Sequence, residues 1–139
     1  MINKTLINDR LVLIDDPINK LKFLSQTQLD LFNDSLEAAA VESYLRRSLE
    51  AIFDIGRHIL SKIGEKELAA EYKSIAQGLT QKGVVTPDLG QTLIEMAGYR
   101  NRLVHMYHQI NDEELYQIIQ NDLQDLEKFV SQIKLYIQE

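Results

Sequence analysis

Apolar residues recur every three or four positions along nearly the whole chain, the spacing that puts them on one face of a helix. The longest such stripe follows Asn33-Asp34-Ser35 and comprises Leu36, Ala40, Tyr44, Leu45, Leu49, Ile52, Phe53, Ile59, Leu60 and Ile63, up to Gly64. A polar capping cluster before the run and a glycine after it are the start and stop signals of a helix. A second stripe opens at Asn111 or Asp112, carries Glu113 and Glu114 in its first turn, and places Leu115, Ile118, Ile119, Leu123, Leu126, Val130, Ile133 and Ile137 on one face. It predicts one helix to the C-terminus. An N-terminal helix extends through about residue 26, and Pro17 is expected to kink or restart it, since proline lacks a backbone donor. Leu68 to Gln81 predicts a shorter helix ended by Lys82-Gly83. Thr86-Pro87-Asp88 then has the cap-then-proline order that opens another, with Leu89, Leu93, Met96 and Ala97 facing inward. The expectation is all-α: an up-and-down antiparallel bundle of about five helices, with residues 1–139 forming one domain.

Composition narrows the class. With 139 residues, 45% hydrophobic, 26% charged, two prolines and no low-complexity run, the chain reads as an ordinary globular domain. The absence of cysteine excludes disulfides, thiolate metal sites and a cysteine nucleophile, and fits a reducing cytosol. Neither a signal peptide nor a bilayer-length apolar run is evident, so a cytoplasmic protein without membrane attachment is expected. A net charge of -6 argues against an extensive nucleic-acid surface. Locally the balance reverses: between Glu95 and Asp112 there is no acidic residue, while Arg100, Arg102, His105 and His108 all fall there.

Within that window arginine and histidine suggest phosphate chemistry. Cleaving RNA without a metal needs a group that moves protons at the 2′-hydroxyl or the leaving 5′-oxygen, and a cation for the charge that builds on the phosphate. Histidine suits the first role and arginine the second. Arg100 and His105 are five residues apart, roughly 140° in helical projection, so the helix must loosen between them or two copies must meet for both to address one phosphate. Arg102 and His108 have nearly the same separation, and spacing does not choose between the pairs.

The string Arg100-Asn-Arg-Leu-Val-His105-Met-Tyr107 resembles the Arg-x4-His-x-Tyr signature of the HepT-like toxins, a branch of the HEPN superfamily. The order of elements around it is similar too: an N-terminal helix, a long helix with Tyr44, Leu45, Glu50 and Asp54, a Gly-Val-Val-Thr-Pro turn, the motif helix and a closing helix. The resemblance implies a metal-independent endoribonuclease acting as a homodimer, needing no cofactor, with Arg100 and His105 catalytic and Asn101 assisting. It implies RNA that includes tRNA as substrate. It also implies an MntA-like nucleotidyltransferase antitoxin that silences the toxin by attaching AMP to Tyr107, where phosphate charge and bulk would oppose an RNA backbone. An acidic residue of the long helix would orient Arg100 or His105, and Asp54 is preferred over Glu50.

Other features read more plainly. Glu42, Arg46, Glu50, Asp54 and His58 recur every four residues, as in a solvated ladder of ion pairs. His105 and His108 lack a third ligand nearby, so no metal site is expected. Tyr99 and Tyr116 fit packing better than base stacking. The competing function is a non-catalytic helical module that binds a nucleotide or a nucleotidyltransferase partner through the same motif. A bundle that only oligomerises explains the stripes but not the basic window.

Overall fold

The computed structural model describes residues 2–27, 32, 36–105 and 110–138. The described residues form six helices and no strand: α1 (Lys4–Leu24), α2 (Leu36–Lys62), α3 (Tyr72–Gln81), α4 (Pro87–Val104), α5 (Asp112–Asn121) and α6 (Leu123–Gln138). The capping cluster at 33–35, Met106, Tyr107, His108 and Gln109 lie outside the described residues.

α2 is the axis of the bundle. At 27 residues it is about 40 Å long, and it packs against α1, α3, α4 and α5. Its buried positions, among them Leu45, Leu49, Ile52, Phe53, Ile59 and Leu60, fuse with Ile7, Leu11, Ile14, Ile18 and Leu21 of α1 and Phe129, Val130 and Ile133 of α6 into one apolar cluster. Leu36, at the first position of α2, departs from the expected stripe: it is 87% exposed. Ser48 is the one buried polar residue of the described core, and its hydroxyl donates to the Tyr44 carbonyl at 2.8 Å.

Helix boundaries follow their local chemistry with three corrections. α1 continues through Pro17 as one element instead of restarting. Buried Pro17 and Ile18 sit on its packed face, and tertiary burial outweighs the lost hydrogen bond. α3 begins at Tyr72 and not at Leu68, since residues 65–70 form single i→i+3 turns and Glu71 is extended (φ -129°, ψ 152°). The closing element is broken at Asp122 (φ -112°, ψ -2°), so it forms two helices. The apolar period survives that break, which is why periodicity alone does not reveal it.

α4, the motif helix, is anchored at its start. Pro87 occupies its first turn, and Thr86 exchanges two hydrogen bonds with Gln132 of α6, at 2.9 and 3.0 Å. Gly90 lets α3 approach closely, since a Cβ there would collide with the Thr80 side chain. Gly64 and Gly83, with φ of 88° and 71°, reverse the chain after α2 and α3. No described helix is long and apolar enough to cross a membrane.

Candidate active site on the motif helix

Arg100 lies on the flank of α4 that faces α2 and the start of α3. Its Nε donates to Glu50 Oε1 at 3.0 Å, and its Nη1 donates to Asn101 Oδ1 at 3.3 Å. The guanidinium carbon stands 4.1 Å from the centroid of the Tyr72 ring. Tyr72 is itself braced edge-on by Phe53 of the core, centroids 5.0 Å apart at 86°. The Arg100 side chain is only 17% exposed, so hydrogen bond and cation–π contact act where water screens them less than at a free surface.

The acidic partner of Arg100 is thus Glu50, not the preferred Asp54. Asp54 is one turn further along α2 and bonds Arg57 of its own helix at 3.2 Å. A local i,i+3 partner satisfies it, while the crossing of α4 over α2 brings Arg100 to Glu50. Arg57 also donates to the Ala69 carbonyl and lies 5.6 Å from the same Tyr72 ring. Tyr72 is the component that sequence reasoning missed. It lies 28 positions before Arg100, at the mouth of a different helix, and no local pattern ties the two.

Arg102, two residues on, is held differently. Both its terminal nitrogens are engaged by one carboxylate: Nη1 to Glu114 Oε2 at 2.7 Å and Nη2 to Glu114 Oε1 at 2.6 Å. Glu114 is fixed in turn, its backbone N–H donating to the Asn111 side-chain cap at 2.8 Å. The pair ties α4 to α5 and fills the arginine fork. Arg100 spends Nε and one Nη on the protein, and among the described residues its Nη2 makes no hydrogen bond. Of the two arginines, Arg100 therefore keeps a terminal nitrogen for a phosphate, whereas Arg102 has both terminal nitrogens engaged and only its Nε without a hydrogen bond among the described residues. The basic window also shrinks in space, since Glu50 and Glu114 bring it acids from outside the segment.

His105 is the C-cap of α4. Its backbone N–H donates to the Asn101 carbonyl at 3.0 Å, but its own φ and ψ of -93° and 112° are extended, and the side chain is exposed. The helix ends at this histidine, so the 140° projection of a continuous helix does not govern where its ring goes. Tyr107 and His108 lie outside the described residues.

The remaining candidates have structural partners. His58 Nε2 accepts the Asn3 backbone N–H at 3.1 Å, and burial, then Lys62 and the N-terminal amine, lower its pKa from the ordinary 6.5. Tyr116 donates to the Thr27 carbonyl at 2.8 Å and packs on Phe32. Tyr99 is half-buried against Leu45, Leu49 and Met96 in a cavity of about 20 Å³, and burial raises its pKa. Among the described residues no cluster of His, Asp or Glu could hold a metal ion.

An all-helical bundle that presents a half-engaged arginine from its motif helix, with a histidine at that helix's end, has the architecture of a HEPN protein. The family model described as Ribonuclease HepT-like matches residues 14–133, and the chain belongs to that family. It is 31% identical over 137 residues to the tRNA nuclease HepT of Aphanizomenon flos-aquae, covering 98% of this chain and 92% of the relative. It is 32% identical over 92 residues to the mRNA nuclease HepT of Shewanella oneidensis, covering 65% and 67%. Among solved structures, the tri-AMPylated Shewanella oneidensis HEPN toxin in complex with MNT antitoxin superposes with a TM-score of 0.80 at 26% identity, covering 94% of this chain and 97% of that one.

Proposed function

We propose that this chain is a toxin that cleaves RNA, tRNA included, without a metal, and that a nucleotidyltransferase antitoxin silences it by attaching AMP to Tyr107. The observation that carries the reading is Arg100: clamped in position by Glu50 and Tyr72, yet with part of its guanidinium unspent. A cation held this way stabilises charge developing on a phosphate without reorganising at the moment of reaction. Support comes from the family match and from relatives named as nucleases of tRNA and mRNA.

In this mechanism the 2′-oxygen attacks the adjacent phosphorus as its proton leaves, and the 5′-oxygen departs as it gains one. His105 moves one of these protons and Arg100 holds the non-bridging oxygens. Asn101, bonded to Arg100, helps keep the guanidinium aligned. One imidazole does not accept and donate in the same step, which favours a homodimer in which two copies of the motif share a cleft. AMP on Tyr107 would place a phosphate two residues from His105, where the RNA backbone should lie.

The test is direct. Purified protein in excess chelator should cut RNA, and His105→Ala should abolish cutting while leaving helicity unchanged. Co-expression with a nucleotidyltransferase should add the mass of AMP at Tyr107. RNA left intact by the wild-type chain, with no harm to cells that express it, would sink the enzyme reading and leave the non-catalytic module.

A further inference from the structure

We propose that the trough between α1 and α2 is a binding track for single-stranded RNA leading to Arg100. This rests on the ribonuclease reading above and adds to it where the substrate strand lies away from the scissile phosphate.

The two helices run antiparallel and leave a groove of about 350 Å³ between them, within the range of built ligand sites. Tyr44 lies in its wall, with Lys20 Nζ 5.2 Å and Arg47 Cζ 5.4 Å from the centre of its ring. Glu50, the carboxylate that holds Arg100, lines the same groove, so trough and catalytic arginine are contiguous. Past Tyr44 the trough continues as a second hollow that shares Asp16, Lys20 and Tyr44 and reaches Phe23, an aromatic ring left 72% exposed. Aromatic faces interleaved with cations along a groove are what a single strand needs: rings to stack unpaired bases and charges to follow the phosphates. From Tyr44 to Glu50 is about 9 Å along the helix axis. That is roughly the length of two or three stacked nucleotides.

Charge supports this occupant. Lys20 and Arg47 have no carboxylate partner among the described residues; Arg47 is steadied by the Ser43 hydroxyl at 2.8 Å. Of the three carboxylates on the walls, Glu50 and Asp54 are already paired with Arg100 and Arg57, leaving only exposed Asp16 uncompensated. Counted with Arg57 and Arg100, which hold two of those carboxylates, the trough has four cations to three carboxylates, on a chain of net charge -6.

The experiment uses a short fluorescent single-stranded oligoribonucleotide and anisotropy, in a His105→Ala background so that the probe is not cut. Lys20→Gln with Arg47→Gln should weaken binding roughly tenfold and flatten its salt dependence by about two phosphate contacts. Phe23→Ser should weaken it several-fold. Tyr44→Leu should do so about tenfold and Tyr44→Trp should not, so a loss that tracks aromaticity separates stacking from misfolding. An equal-charge control, Lys66→Gln with Lys128→Gln, should have far less effect. Control and trough pairs weakening binding alike would overturn the proposal. So would trough variants that leave RNA affinity intact but alter sedimentation or capture of the nucleotidyltransferase, since the face would then be a protein interface. Wild type that cuts RNA while the trough variants bind like their parent refutes the track alone. A wild type that binds through the trough yet never cuts refutes only the enzyme reading.

Discussion

Arg100 and Arg102 sit two residues apart on one helix, and the protein treats them as different devices. Arg100 turns back onto the body of the bundle, where a core-braced tyrosine and a half-exposed glutamate hold it by one edge and one face. Arg102 turns toward the junction with α5 and is closed by a two-pronged bond to Glu114. The first arrangement orients a cation by Nε and Nη1 and leaves Nη2 without a hydrogen bond among the described residues; the second fastens two helices through both terminal nitrogens and leaves only Nε. Proximity in sequence to a histidine therefore says less about phosphate chemistry than how much of each guanidinium fork is unspent.

Removing each arginine in turn should separate the two devices most strongly. Arg100→Ala should lower RNA cleavage by about 10²–10³-fold, the usual cost of losing one preorganised charge stabiliser. Arg102→Ala should change single-turnover cutting by no more than a few-fold. If the two losses are equal, or reversed, the division of labour is wrong and the Arg102 register must be reconsidered.

The clamp on Arg100 comes next in size. Glu50→Gln keeps an acceptor but removes its charge, and should reduce kcat by about tenfold at the scale of one charge-assisted hydrogen bond, with KM little altered. Tyr72→Leu should have a similar effect, and Tyr72→Phe should restore most of the rate, because the ring face and not the hydroxyl meets the guanidinium. Asp54→Asn, one turn away from Glu50, should be close to silent in the same assay. A large effect of Asp54→Asn on kcat would return it to the site.

Much of this fold was legible from periodicity and punctuation. Gly64, Gly83 and Pro87 mark the ends they were expected to mark, and the stripe from Leu115 to Ile137 is buried throughout. What was not legible shares one cause: it depends on how elements cross. Glu50 and Asp54 lie about 40° apart in projection, and only the path of α4 over α2 chooses between them. Tyr72 reaches Arg100 from another helix altogether. Leu36 has the right period but is exposed at the start of α2, and Asp122 interrupts a stripe whose phase is kept on both sides. The acid-free window likewise stops being unopposed once Glu50 and Glu114 are brought to it.

At the junction, the expected effect is on stability. Removing one prong of a partly exposed pair with Glu114→Gln should cost about 1 kcal/mol. That corresponds to a drop of roughly 2–6 °C in Tm for a chain of this size. Cutting per folded molecule should be preserved. A fall in kcat at unchanged Tm would instead mean that the Arg102–Glu114 bond positions His105, and the junction would belong to the site.

The smallest effect is expected at the start of α1 and tests whether acid acts on the site or on the scaffold. His58 serves as a neutral acceptor for the Asn3 N–H, and its pKa is depressed below 6.5 chiefly by burial. A histidine depressed in the folded state binds fewer protons there than in the unfolded chain, so stability rises with pH through that interval. Its contribution is complete above about 6.5 and is lost as pH falls through the unfolded value toward the folded one. Thermal melts of the wild type should therefore show a modest loss of Tm on acidification across that window. His58→Gln should reduce the slope without changing how cutting depends on pH. An unchanged slope in His58→Gln would assign the acid sensitivity to another group, and a cutting profile that moved with it would couple the start of α1 to the motif helix.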